Sequence, residues 1–239
     1  DIPVQFSNTA SWYDALTARV VAQPGHGITL SASYAHARNF SNGNNIDPAN
    51  LYQYYGPTQQ DIAHTVTAEF SYELPVGHGK QFLPNANRVV DAILGGWQYS
   101  GFLTIRSGLR FDVNSGVSLL NNGQGNRPDR ICAGNLSNPT VNLWFNTSCF
   151  VDDLVPQTYG NAGINPLYTD GLQQLDSSLF KTFRVTERVS MQIRADAFNT
   201  FNRPNFSAPD STVGDPSEGQ IFSTAVDNRR MQFGLRLFF

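Results

Sequence analysis

Thr65-Val66-Thr67-Ala68-Glu69-Phe70-Ser71-Tyr72-Glu73-Leu74 is the stretch that decides the fold. Val66, Ala68, Phe70, Tyr72 and Leu74 alternate with Thr65, Thr67, Glu69, Ser71 and Glu73, an apolar set against a polar one. A period of two puts the sets on opposite faces of a β-strand, whereas a helix would scatter both around its circumference. The strand predicted here covers 61–74. The same alternation recurs elsewhere in the chain. Leu16, Ala18, Val20 and Ala22 mark a strand over 10–23, and Ile28, Leu30, Ala32 and Tyr34 one over 28–40. Trp97, Tyr99, Leu103 and Ile105 mark 97–107. Val189, Met191, Ile193, Ala195 and Ala197 mark 189–201, and Met231, Phe233, Leu235, Leu237 and Phe239 mark 228–239. A seventh strand, over 172–186, alternates poorly, and Lys181 falls on its apolar side.

The connections are of two kinds. Pro24-Gly25-His26-Gly27 and Glu187-Arg188 read as tight turns. The segment 75–96 holds a short predicted helix, Arg88 to Leu94, capped by Asn87 and stopped by Gly95-Gly96. By contrast, 41–60, 108–171 and 202–227 are long polar loops rich in Asn, Gly and Pro. A loop as long as 108–171 is out of place in a compact soluble domain but ordinary on the rim of a barrel.

Composition narrows the class. The 239 residues are 40% hydrophobic and 15% charged, with a net charge of −3. There is no basic field, so no nucleic-acid partner is expected. No apolar run approaches the roughly 18 residues of a membrane helix. A mean hydropathy of −0.30 points to water. A membrane barrel defeats that test, because half of each strand faces a polar lumen. The opening Asp1-Ile2-Pro3-Val4 has neither a basic start nor an apolar run, so the expectation is a mature form or a piece of a longer precursor.

Strand length, loop parity and aromatic position then agree. A tilted strand needs about 9–11 residues to cross hydrocarbon, while soluble strands peak near 5–6. Short and long connections alternate, as they do in barrels with short periplasmic turns and long external loops. Trp12, Tyr13, Phe40, Phe198 and Phe201 fall at the long-loop ends, and Tyr72, Trp97, Tyr99, Phe183 and Phe239 at the short-turn ends. Two aromatic girdles are expected at two headgroup layers. The fold expected is therefore all-β: an antiparallel transmembrane β-barrel segment of about seven strands in a bacterial cell outer membrane. Its first partner is outer-membrane lipid. An odd strand count does not close as a single-chain bacterial barrel, so an incomplete barrel and a longer parent chain are expected. Lumenal Glu69, Glu73, Arg106, Arg194, Asp196 and Arg236 are expected to pair across strands or to contact a plug inside the barrel. The alternative is a soluble secreted β-sandwich, such as a carbohydrate-binding module, whose apolar faces would meet across a core.

Little in the chain suggests chemistry. Cys132 and Cys149, in one polar loop, fit a disulfide in an oxidising compartment. His26, His36, His64 and His78 have no metal spacing. There is no Gly-x-Ser-x-Gly elbow, and Gly123-Gln124-Gly125 and Gly160-Asn161-Ala162-Gly163 join no strand to a helix. Asp152-Asp153 reads as a solvated acidic pair. The expectation is a non-enzyme without cofactors. Ligand contacts are expected from loop aromatics: Tyr52, Tyr54, Tyr55, Trp144 and Tyr159.

Several runs also resemble one known family. They are Gly95-Gly96-Trp97-Gln98-Tyr99-Ser100-Gly101 with Ser107-Gly108 and Phe111, and Leu175-Asp176-Ser177-Ser178-Leu179-Phe180-Lys181-Thr182-Phe183 followed by Glu187-Arg188. The third is Arg194-Ala195-Asp196-Ala197-Phe198-Asn199-Thr200-Phe201-Asn202-Arg203-Pro204-Asn205-Phe206, and the fourth Arg229-Arg230-Met231-Gln232-Phe233-Gly234-Leu235-Arg236-Leu237-Phe238-Phe239. Together they resemble TonB-dependent receptors of the Oar-like type, over most of Ser11 to Phe239. The resemblance implies a barrel of about 22 strands, preceded by a plug domain and N-terminal barrel strands in the parent chain. It also implies ligand uptake energised by the TonB protein. On the same resemblance, Phe233, Leu235, Leu237 and Phe239 form the C-terminal signal read by the barrel-insertion machinery.

Overall fold

The computed structural model describes residues 9–42, 55–117, 126–152 and 159–239. Seven long strands form one antiparallel sheet: β1 (Ser11–Gly25), β2 (Ile28–Ser41), β3 (His64–Glu73), β4 (Trp97–Arg106), β5 (Leu172–Arg184), β6 (Ser190–Phe198) and β7 (Arg230–Phe238). Each pairs with its sequence neighbours, and among the described residues β1 and β7 are open edges. A short piece, Gly56–Pro57, lengthens the sheet beyond the outer end of β2.

The registers are in phase. One rung runs Ala22, Leu30, Phe70, Gly101, Ser177, Ala197, Met231 across all seven strands. A polar rung runs Thr29, Ser71, Ser100, Ser178, Asp196, Gln232. A slip of one residue at any pairing would turn the outer strands inside out. As it stands, the seven apolar sets share one face. That face is open: Leu16 is 70% and Phe233 76% exposed. No second sheet covers it among the described residues, which removes the β-sandwich reading, since a sandwich buries this face.

The polar face is concave. Thr29, Ser31, Glu69, Ser100, Asp176 and Asp196 line a hollow of about 520 Å³ on that side. A wall that curves around its polar face and offers its apolar face outward has the geometry of a barrel with a wet lumen. The β1–β2 turn fits this regular wall. Gly25 and Ile28 close it, and both central residues, His26 and Gly27, take positive φ (54° and 75°). That is the turn type whose twist matches the flanking strands. A Cβ at Gly27 would stand 2.7 Å from the Glu73 Cβ, so only glycine fits there.

Three strand ends fall short of the alternation. β3 starts at His64 because Asp61 is used by the loops. β5 stops at Arg184, where the Val185 and Thr186 amides turn onto the Val189 carbonyl. β6 stops at Phe198 because Asn199 takes a left-handed φ of 50°. The helix α1 (Arg88–Leu94) forms in the β3–β4 connection, its N-terminus capped by the Asn87 Oδ1, which accepts from the Val90 amide at 2.9 Å.

The aromatic reading needs one correction. Trp12 and Phe40 sit opposite each other on the apolar face at the outer rim, and Tyr72, Trp97, Tyr99 and Phe183 take that face towards the inner rim. Phe198 and Tyr13 do not belong with them. Phe198 continues the polar parity of Asp196 and lines the lumenal hollow. Tyr13 lies one residue out of phase with Trp12.

Charge placement on the two faces separates them experimentally. Ala68→Arg, mid-strand on the apolar face, is expected to lose about 2–4 kcal/mol of folding stability in lipid vesicles. Ser100→Arg, on the polar face, is expected to change it by less than about 1 kcal/mol. Equal losses in a urea titration of the two variants would show that the faces are not lipid and water.

Candidate functional site in the lumen and external loops

The lumenal wall is set by strand periodicity. Arg194 and Asp196, two apart on β6, point to the same side, and Arg194 Nε donates to both carboxylate oxygens at 2.7 and 2.9 Å. Ser178 on β5 also donates to Asp196. This pair runs along one strand rather than across two. Glu73 takes Gln98 Nε2 from β4 and Lys80 Nζ from the β3–β4 connection, each at 3.4 Å. Of the six lumenal charges, three thus find partners locally, and not as the cross-strand ion pairs that alternation suggests.

Above the outer rim the long loops build a folded cap. Phe111, Val113, Phe145, Cys149, Phe150 and Leu167 form a buried cluster, with Trp144 and Val213 packed against it. Phe145 stands edge-on to Phe150, centroids 5.7 Å apart. Short antiparallel pairs frame the cluster: Arg110–Phe111 with Leu167–Tyr168, and Asp129–Arg130 with Phe150–Val151. A disulfide joins Cys132 to Cys149, 17 residues apart. By loop entropy a closure of that size contributes on the order of 3 kcal/mol to order in the cap. Sequence reading treats 108–171 as irregular. The structure gives it the described protein's cluster of buried hydrophobic side chains, because its apolar residues have no lipid to face.

Buried charge ties the cap to the wall. Asp61 is 0% exposed and accepts from the Asn39 amide at 2.8 Å and Arg110 Nε at 2.6 Å. The Arg110 guanidinium also stacks 4.4 Å from the Tyr168 ring centroid. Arg127 pairs with Asp112 at 3.6 Å, and Asp112 holds the Asn165 amide. Asn165 Nδ2 reaches the Pro57 carbonyl at 2.8 Å, tying in the end of the first long loop. The third loop joins through backbone bonds, Trp144 N to Gly219 O and Ile221 N to Val141 O, both at 2.8 Å.

The run from Phe198 to Phe206 makes the third tie. Asn199 and Asn202 both adopt left-handed φ, which Asn tolerates better than other residues with a Cβ. Asn199 Nδ2 donates to the carbonyls of Arg203 and Asp227, and its amide donates to Asp176. Asn202 Oδ1 takes the Arg229 amide, and Asn205 Oδ1 the Gln173 amide. The asparagines thus bind the outer ends of β5, β6 and β7 together. Beneath the cap, Arg106, Leu109, Thr169, Asn205, Phe206 and Ala225 border a second hollow of about 330 Å³.

The three loop aromatics that are described, Tyr55, Trp144 and Tyr159, take separate positions. Trp144 is half-buried, donates Nε1 to the Tyr168 carbonyl at 2.8 Å and meets Phe206 edge-on. Tyr55 packs against Trp12 and Phe40, centroids 5.2 and 5.6 Å away, so it extends the outer aromatic group of the apolar face. Tyr159 is half-buried beside Gly160. Tyr52 and Tyr54 lie outside the described residues. Phe233, Leu235, Leu237 and Phe239 lie along the exposed apolar face of β7 and its end. The residues that sequence reading misses are Asp61, Arg110, Asn165, Asn199 and Asn205. For Asp61 the one signal is negative, since Asp61-Ile62-Ala63 breaks the alternation of β3, while Asn199 and Asn205 fall in a family run that marks them without giving their role.

The third loop also carries a carboxylate cluster. The Ser217 hydroxyl, then the Thr212 amide, hold Asp210 below the usual carboxylate range. Burial pushes Glu218 up, helped by the nearby Asp210, Asp152 and Asp215 charges and opposed by the Gly214 amide. Glu218 Oε1 and Asp152 Oδ1 are buried without a hydrogen-bond partner. Among the described residues no group of three or more His, Cys, Asp or Glu is arranged to hold a metal.

Two outcomes follow for the cap. Asp61→Ala leaves the Arg110 guanidinium nearly buried and unpaired, a loss on the order of 3–5 kcal/mol. Limited proteolysis is expected to cut the cap of this variant much faster while the strands resist. Glu218 has a raised pKa in the fold, so its charge opposes the cap at neutral pH, and the penalty fades as pH falls through the raised value. Glu218→Gln is therefore expected to protect the cap from protease at pH 7, with the advantage disappearing near pH 4. An advantage that stays constant over that range would contradict the assignment.

Comparison with known proteins adds one match. A family model described as outer membrane beta barrel domain matches residues 1–232. No curated protein and no solved structure matches the chain.

Proposed function

The chain belongs to the outer membrane beta barrel domain family, and from that premise we propose that it forms wall and external cap of a receptor with TonB-dependent uptake. The family puts the chain in the bacterial outer membrane, with the apolar face of the sheet on lipid. The finer reading rests on one observation above all: the described parts of the second and third external loops fold together into a cap, joined by the end of the first, over a concave polar wall. A passive pore is served by an open mouth. A receptor needs an ordered outer surface that selects a ligand before anything crosses. The runs that resemble TonB-dependent receptors of the Oar-like type, above all Phe198 to Phe206, support the same reading, since they are the residues that tie the cap to the strands.

In this proposal the ligand meets the cap and the hollow beneath it, where Thr169 and Asn205 offer polar contacts beside Phe206. Glu69 and the Arg194–Asp196 pair face a plug domain of the parent chain. Phe233, Leu235, Leu237 and Phe239 serve the insertion machinery. We assign no catalytic role and no cofactor to the chain.

Liposomes provide the test. The protein in its natural full-length form is expected to block the entry of L-arabinose and to be captured by the periplasmic domain of the energising protein. Free swelling in the sugar, with no capture, would count against a gated receptor and for an open pore.

A further inference from the structure

The apolar face of the sheet holds Arg38 at the outer rim and one further cation towards the inner rim, and what surrounds the second points to a further membrane contact. Lys181 lies on that face, in register with Trp97 and Ile193. It is only 5% exposed. Its Nζ donates to the carbonyls of Asp91 and Ala92, at 2.9 and 2.7 Å, and lies 4.9 Å from the centre of the Phe183 ring. Trp97, also on the apolar face, donates Nε1 to the Ile93 carbonyl at 2.9 Å. These three carbonyls belong to the last turn of α1, where most helix carbonyls lack partners within the helix, although that of Asp91 also accepts from the Gly95 amide at 2.9 Å. Two side chains rising from the lipid side of the wall therefore clamp the C-terminal end of α1. The helix is held at the inner rim on the lipid side, not beneath the lumen.

So placed, α1 buries none of its residues. Val89 and Ile93, four apart on one face, are 69% and 62% exposed, and Leu94, Phe82 and Leu83 are exposed beside them. Asp91, the acidic residue of the helix, turns the other way. Its Oδ1 accepts from the His78 amide and would crowd a Cβ at Gly77 or Gly95. An exposed apolar face on a soluble loop is a liability. Here it continues the lipid-facing band at the depth of the inner aromatic residues Tyr72, Trp97 and Phe183.

We propose that the α1 face of Val89 and Ile93, with Phe82 and Leu83, seats in the phospholipid leaflet facing the periplasm. It acts as an interfacial anchor that fixes the depth of this part of the wall. The occupant is lipid because the surface is continuous with the lipid interface of the strands and is tethered from it by Lys181 and Trp97. An amphipathic helix in the plane of the interface buries its apolar side at the boundary of headgroup and acyl chain. The inference needs only the membrane barrel and holds whatever the receptor transports.

The experiment uses the natural full-length protein in phospholipid nanodiscs, with an environment-sensitive fluorophore on Ile93→Cys and, separately, on Val89→Cys. Ser137→Cys in the external cap, where the side chain is exposed, is the water-exposed reference. Folded protein is selected by its resistance to SDS without heating. At both helix positions, iodide quenching is expected to be at least threefold weaker than at the reference. Nitroxide lipids labelled near the headgroup are expected to quench both positions at least twofold more than the reference. Iodide quenching equal to the reference overturns the proposal. So does protection from iodide without quenching by the lipids, which would mean that protein covers the face instead.

Discussion

Backbone amides inside hydrocarbon have only one another as partners, since lipid donates and accepts nothing. That constraint fixes the wall. Each strand must lie beside another along its whole membrane length, so each is long, and the meander order follows from the short turns between successive strands. Once the pairing is continuous, the period of two does the rest. The rung from Ala22 to Met231 keeps to one face across seven strands, with Ser177 as its polar member, and the register shift of the first hairpin falls beyond it, between Ala22 and Gly25. Gly25, His26 and Gly27 set the twist of the first hairpin, while Asn199 ends β6 where the wall meets the cap.

Outside the membrane the organising interaction changes. The cap stands in water, and its apolar residues behave as those of a small soluble domain: Phe111, Phe145, Phe150 and Leu167 close on one another. So small a cluster gives limited stability, and the disulfide and buried ion pairs supplement it. Asp61 and Arg110 join the two regimes. Asp61 precedes β3, Arg110 follows β4, and their bond at 2.6 Å holds the cap on the strand ends. At the opposite rim a related device appears in reverse, with Lys181 satisfied by carbonyls of α1 rather than by a carboxylate. In both places a charge removed from water is matched by preorganised partners, as burial demands.

These arrangements bear on function through rigidity. A cap in which the second and third loops share backbone bonds, from Trp144 to Gly219 and from Val213 to Asn114, presents a defined outer surface instead of a set of independent loops. The carboxylate cluster around Glu218 is less well satisfied, since Glu218 Oε1 and Asp152 Oδ1 are buried without a hydrogen-bond partner. It is where acidity acts most directly on the cap.

Much of the wall was legible in the residues alone. Strand existence, face assignment and the Asn87-capped helix are local properties, written in alternation and in capping chemistry that involve neighbours in sequence. The family runs were legible too, though not why asparagine fills them. The cap was not legible. Its contacts join residues about 50 to more than 100 apart, as in Asp61 with Arg110 and Asn165 with Pro57, and no periodicity marks such partners. The packing of Trp144 and Tyr55 was not legible for the same reason: composition says that a ring sits in a loop, not which way it turns. Lys181 shows the division most clearly. Its position on the apolar face follows from the period of two. That the cation is tolerated there depends on a helix some 90 residues earlier in the chain, folded over it. Local pattern fixes which face a side chain takes, and only the assembled fold fixes what that side chain meets.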